Sequence, residues 1–269
     1  MARRGLTLVE LLVVIGAISL LAALSFPALL RVRNQAQGTV CLQNIKTLSL
    51  AWILYKDEND DRLVGGQVGK SRHDWVQRPS GAGTILERQR EGIRQGALYH
   101  AAGSNVDLYR CPADQRRQIS AQFAFCSYSI AGGANGEGWQ NTYVPAEKYS
   151  DIAQPATKYI FVEEADPRGW NRGSWLLNPL GKTWVDPLAI WHSGARSTLG
   201  YADGHAEIHR WINDSTIAMS RKQEFVYPVP PNEGEDLRFM LVGFPQKTAE
   251  PSTSRMTRTF LAQILRSSL

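Results

Sequence analysis

Residues 6–30 hold 25 consecutive positions of which only Glu10 is charged. At about 1.5 Å per residue a helix of that length reaches across a bilayer's hydrocarbon core with some tilt to spare. A helix buried in a protein core would keep polar residues along one face, and this run keeps almost none. A secretory signal peptide is the competing reading, because Arg3 and Arg4 form a basic start. Against it, the apolar run exceeds an ordinary h-region, no A-x-A site closes it, and it contains an acid. The run therefore reads as a transmembrane anchor in contact with the lipid bilayer. Arg3 and Arg4 before it nearly balance Arg31 and Arg33 after it, so charge counting leaves its orientation open.

Residues 31–269 are enough for one sizeable domain with appendages. The net charge of +5 is spread along the chain without a Lys/Arg block, which argues against a nucleic-acid partner. Of the three cysteines, Cys41, Cys111 and Cys126, none forms a C-x-x-C pair, so a structural zinc site has little support from spacing. Cys111 and Cys126 would close a loop worth about 3 kcal/mol if bridged, and a bridge would imply an oxidising compartment. Two buried thiols are the equal alternative.

Cys41, Ile45, Leu48, Trp52 and Tyr55 recur at spacings of 4, 3, 4 and 3, an apolar stripe on one helix face. One long helix thus continues to about Asp57, kinked where Pro27 removes a backbone donor. Its second half must bury the stripe, and a sheet is the expected partner. The helix exits at KDENDDRLVGG. Asp57, Asn59 and Asp61 have the opening spacing of a calcium loop, but Arg62 and Val68 stand where Gly and Glu are required, so a solvated turn is expected. Further on, AQFAFCSYSI, KYIFVEE, RSTLGYA and HAEIHRW read as strands separated by turn clusters. The predicted fold class is α+β: a long N-terminal helix, membrane half plus amphipathic half, packed on a mostly antiparallel β-sheet with long loops. In domains this gives 6–30 as the membrane helix, 31–57 as its amphipathic continuation, 58–245 as a β-rich globular domain, and 246–269 as a tail. Phe260, Leu261, Ile264 and Leu265 give that tail the pattern of a short amphipathic helix.

The segment IWHSGARSTLGYADGHAEIHRW gathers His192, Asp203, His205, Glu207 and His209. Asp203-Gly204 predicts a two-residue type I′ hairpin turn. That register sets Leu199 opposite Ile208 and Tyr201 opposite Ala206 on a core face, leaving Thr198, Gly200, His205, Glu207 and His209 on a polar one. His205, Glu207 and His209 are the candidate zinc ligands, although a polar strand face accounts for them without metal. Glu163 and Glu164 end an apolar strand without an evident partner. No G-x-S-x-G or H-E-x-x-H motif is present, and the chain reads as a non-enzyme with no cofactor. Trp139, Trp170, Trp175 and Trp184 fall in loop-like sequence, where they serve either recognition or loop burial.

MARRG followed by LTLVE resembles the processing signature of the type IV pilin and type II secretion pseudopilin superfamily. CLQNIKTLSLAWILYKDENDDR, GALY, LYRCPAD, CSYSIAGG and the segment from His192 to Gly204 resemble its bacterial prepilin-type subgroup with an H-x9-DG segment. Ten residues rather than nine separate His192 from Asp203 here, and the pair is read as a fold corner. The likeness is specific over residues 1–66 and loose over 97–211. It implies that residues 1–5 are a leader, cut after Gly5 by a membrane prepilin peptidase that also methylates Leu6. It implies a single-pass protein of the cytoplasmic (inner) membrane, with its leader inside and its globular domain outside. It also implies that Glu10 attracts the amino terminus of a neighbouring pilin-like subunit during assembly, and that Pro27 is the family's helix-breaking proline. Type II secretion machinery or a type IV pilus-like fibre is the implied assembly. A monomeric anchored binding domain exported by the same route is the alternative.

Overall fold

The computed structural model describes residues 8–114, 116, 125–168, 171–181 and 183–247, apart from the side chains of residues 24, 27 and 28. Gly5, Leu6, Trp170 and the tail's apolar set Phe260, Leu261, Ile264 and Leu265 lie outside the described residues. Helix α1 (Leu8–Glu58) is followed by strands β1 (Gly65–Val68) and β2 (Asp74–Val76), then helix α2 (Ile85–Arg94). Strands β3 (Tyr128–Ile130), β4 (Tyr159–Glu163), β5 (Thr183–Trp184), β6 (Arg196–Tyr201) and β7 (Ala206–Arg210) come next. Helix α3 (Asp214–Lys222), strand β8 (Tyr227–Pro228) and helix α4 (Glu235–Gly243) close the described chain.

The expected long helix is present, ends one residue beyond Asp57, and is continuous through residue 27. Its two halves meet their surroundings differently. Leu8, Leu20 and Leu29 are 78%, 64% and 65% exposed, whereas Cys41, Ile45, Leu48 and Trp52 are fully buried. Among the described residues no helix is long and apolar enough to cross a membrane.

The sheet expected under the stripe is four-stranded, in the order β3-β4-β6-β7, and antiparallel throughout. All four strands fall within the segments predicted for them. The second half of α1 lies on one face of this sheet, where Gly200 lets helix and strand approach. A Cβ at Gly200 would come within 2.3 Å of Ser49 Oγ and 2.7 Å of Ile45 Cγ2. The other face carries a second core, where Trp184 packs against Trp175 at a tilt and against Trp211 edge-on, each at a 6.4 Å centroid spacing. Trp175 and Trp184 are therefore core residues, although their loop-like sequence had left recognition open. Helices α2, α3 and α4 were not anticipated, although α2 opens with the capping box Thr84–Glu87, a pattern visible in sequence.

The β6–β7 hairpin corrects the predicted register. Asp203 does not have the positive φ that a type I′ turn demands, while Gly204 sits at φ +89°. The Tyr201 amide donates to His205 O and the Gly204 amide donates to Tyr201 O, so the loop has three residues, 202–204. The glycine then forms the bulge of a three-residue connection. Pairing becomes Leu199 with Glu207, Thr198 with Ile208 and Gly200 with Ala206. A one-residue slip exchanges the faces. Thr198, Gly200, Ala206 and Ile208 consequently face α1, and Leu199, Tyr201, Glu207 and His209 face away from it.

Candidate functional site

Four distant parts of the chain converge where α1 enters the domain. Cys41 is the first side chain of α1 to be fully buried, at the head of the predicted stripe. Cys111 follows the short 3-10 helix Val106–Tyr109. Glu163 ends β4, sharing the α1 side with Phe161 because alternate strand residues share a face. His192 lies on the arm leading into β6 and is bridged to Arg196. One ligand atom from each of Cys41, Cys111, Glu163 and His192 lies within 4.8 Å of all the others, and all four residues are buried.

The polar contacts inside this cluster are close. The Cys41 thiol donates to Glu163 Oε1 at 2.6 Å. His192 Nε2 lies 3.0 Å from the same oxygen and 3.6 Å from Cys111 Sγ. Two hydroxyls surround the sulfur, Tyr128 at 3.2 Å and Thr198 at 3.0 Å. The Thr198 hydroxyl is also 3.1 Å from Glu163 Oε1, and its backbone amide donates to Glu163 Oε2 at 3.2 Å. Burial, then Cys111 and Glu163, push the Cys41 thiol well above its ordinary range. Burial pulls the His192 imidazole down, but Cys111 and Glu163 outweigh it and hold it up at about 10. The cluster therefore combines two sulfurs, an imidazole and a carboxylate in a water-poor interior. That set can store a proton, hold an ion, or join its two sulfurs.

Sequence reading missed this site. Cys41 read as one apolar stripe residue, Glu163 as an acid without a partner, and His192 as a fold corner. Separations of 70, 52 and 29 residues along the chain leave no local ligand motif. Two consecutive acids ending an otherwise apolar strand were the available signal, since a fully buried carboxylate requires partners. Glu164, the next residue, points to the opposite face. Its pKa is raised by burial and by Asp186 and Asp166. A buried Arg116 nearby bridges Asp114 at 2.9 Å and Asn171 at 3.0 Å.

The candidate zinc ligands of the hairpin make other contacts. Among the described residues His205, Glu207 and His209 belong to no ligand grouping. His205 Nδ1 lies 2.5 Å from Asp203 Oδ1, and its ring stacks on Tyr201. Glu207 accepts the Tyr201 hydroxyl at 2.5 Å, and His209 stacks on Phe239 with ring centroids 3.9 Å apart. Cys111 and Cys126 are free thiols rather than a bridge: Cys111 faces His192, while the Cys126 thiol donates to Tyr128 O at 3.3 Å. Asp61, from the calcium-like turn, accepts the Ser150 amide at 3.0 Å instead.

Comparison of the chain with protein-family models, with curated proteins and with solved structures found no match.

Proposed function

We propose that this chain is a pilin-like or pseudopilin subunit of the cell envelope. In this reading a prepilin peptidase removes residues 1–5, residues 6–30 cross the cytoplasmic membrane, and the globular domain stands outside. After processing, the helix packs with those of related subunits in a type II secretion or type IV pilus-like structure. One observation carries the reading. A single helix of 51 residues passes from an apolar half exposed on all sides to an amphipathic half docked on an antiparallel sheet. An all-round apolar helix is stable in lipid or against other helices, not in water. The apolar sequence extends over 25 positions, about 37 Å as helix.

Glu10 sits in the first turn of the described helix. A carboxylate within hydrocarbon costs about 2.5–3.5 kcal/mol on insertion scales, so its retention calls for a partner or a role. A new ammonium at Leu6, four positions away, would supply the partner, either within one chain or from its neighbour. Such a pair contributes subunit register more than net stability.

The deciding experiment is the intact mass of the protein extracted from membranes without reductant. A mass short of residues 1–5 and heavier by one methyl group supports the reading. A chain that retains Met1 or Ala2 at its terminus sinks it. Replacing Glu10 with Ala should then abolish incorporation into assemblies while leaving the mass of the processed chain as expected.

A further inference from the structure

We propose that Cys41, Cys111, Glu163 and His192 form a buried, four-coordinate zinc site that ties α1 to the sheet. Cysteine sulfur, histidine nitrogen and carboxylate oxygen are all ordinary zinc ligands, and four of them together fill a closed tetrahedral site. Bonds of about 2.3 Å to sulfur and about 2.0–2.1 Å to nitrogen and oxygen place tetrahedral ligand atoms roughly 3.3–3.8 Å apart. The observed separations of 2.6, 3.0 and 3.6 Å, with the remaining pairs inside 4.8 Å, bracket that range. Small side-chain shifts would suffice to seat the ion.

One further observation points the same way. Around the set stand the Tyr128 hydroxyl, the Thr198 hydroxyl and the Thr198 amide. Donors aimed at thiolate and carboxylate lone pairs are what outer partners of a metal supply. Zinc entry would release the protons of both thiols and the proton on His192 Nε2. The bound set would then carry one net negative charge, spread over those three donors.

The position gives the site a purpose. Cys41 is the point at which α1 passes from its docked half to its exposed half. An ion bound there cross-links the helix to the segment holding Cys111, to β4 and to the β6 arm. It would make the join rigid, so that force on the helix reaches the sheet directly. The site is independent of the pilin-like reading, because an unprocessed amino terminus would leave it untouched.

The test uses the full chain purified in detergent without chelator. Expected are one equivalent of zinc by elemental mass spectrometry and, after exchange into cobalt, the thiolate-to-cobalt charge-transfer band of a tetrahedral site. Cys111→Ser should roughly halve that band. Tyr128→Phe, which keeps all four ligands, should weaken metal affinity about 10-fold or more. Less than a tenth of an equivalent of zinc after incubation with excess zinc overturns the proposal. So does non-reducing peptide mapping that finds Cys41 joined to Cys111. Should Cys111→Ser fail to fold, the zinc content and cobalt spectrum of the unaltered chain still decide.

Discussion

Leu20 and Leu48 are the same residue type on the same helix, yet one is 64% exposed and the other fully buried. Both lie in apolar surroundings, and both satisfy their backbone within α1. What separates them is the polar remainder of each half. Around Leu48, Gln43, Asn44, Lys46 and Lys56 leave a single apolar stripe, so that half has one face to bury and one sheet to bury it on. Around Leu20 there is no polar face, and this domain leaves that half of the helix uncovered. A chain builds two environments into one continuous helix by changing only the arrangement of its polar residues.

The largest expected effect follows from the docked half. Leu48→Ala removes a fully buried side chain from the core under the helix and should cost about 2–5 kcal/mol in unfolding of the domain. Denaturant unfolding of the full chain in detergent measures it. A loss below about 1 kcal/mol would mean that the second half is not truly docked. Gly200→Val tests the same interface from the strand side, since its side chain would meet Ser49 and Ile45. Overpacking there should cost about 1–3 kcal/mol. Gly200→Ala should lie between Val and the native residue, because the clash begins at Cβ.

The docked half was legible because its cue is periodic: Cys41, Ile45, Leu48 and Trp52 recur on one face and are all buried. The four sheet strands were legible for the same reason, through alternation and flanking turns. The hairpin register was not, because Asp-Gly fits both a two-residue turn and the end of a three-residue one. Only the φ of Asp203 distinguishes them, and composition does not report φ. The candidate site was least legible. Cys41, Cys111, Glu163 and His192 meet only after α1, β4 and the β6 arm have packed, so no short window contains two of them. Buried Trp175 and Trp184 teach a related lesson, since loop sequence need not lie on the surface when a second core forms beneath it.

The sheet face turned away from α1 provides a control that neither half of the helix touches. Burial raises the Asp186 carboxyl to about 7, against the opposing hydrogen bond from the Leu176 amide. Between about pH 4 and pH 7 the folded chain holds that proton and the unfolded chain has lost it. Stability from this group is therefore complete below about pH 4 and falls as pH rises through 7, by at most about 1.4 kcal/mol per pH unit. Asp186→Asn should flatten that part of the profile, leaving the slope that Glu164, raised in the same direction, contributes. The same flattening should occur in the Leu48→Ala background, as the two sites lie on opposite faces. A profile unchanged by Asp186→Asn would place the charge change elsewhere.

Leu20→Ala carries the smallest expected effect and isolates the exposed half. Its side chain contributes nothing to either buried core, so the unfolding free energy of the globular domain should change by less than about 0.5 kcal/mol. Helix propensity will not obscure the result, because Ala and Leu both favour helix. The measurement is the one used for Leu48→Ala, in the same detergent, so the two leucines are compared directly. Equal losses at both positions would mean that the exposed half is covered by the chain itself, and the division of α1 into two halves would fail. A null effect on unfolding, joined to reduced incorporation into assemblies, would show that the surface around Leu20 serves partners outside the domain. The same helix would then be core at one end and interface at the other.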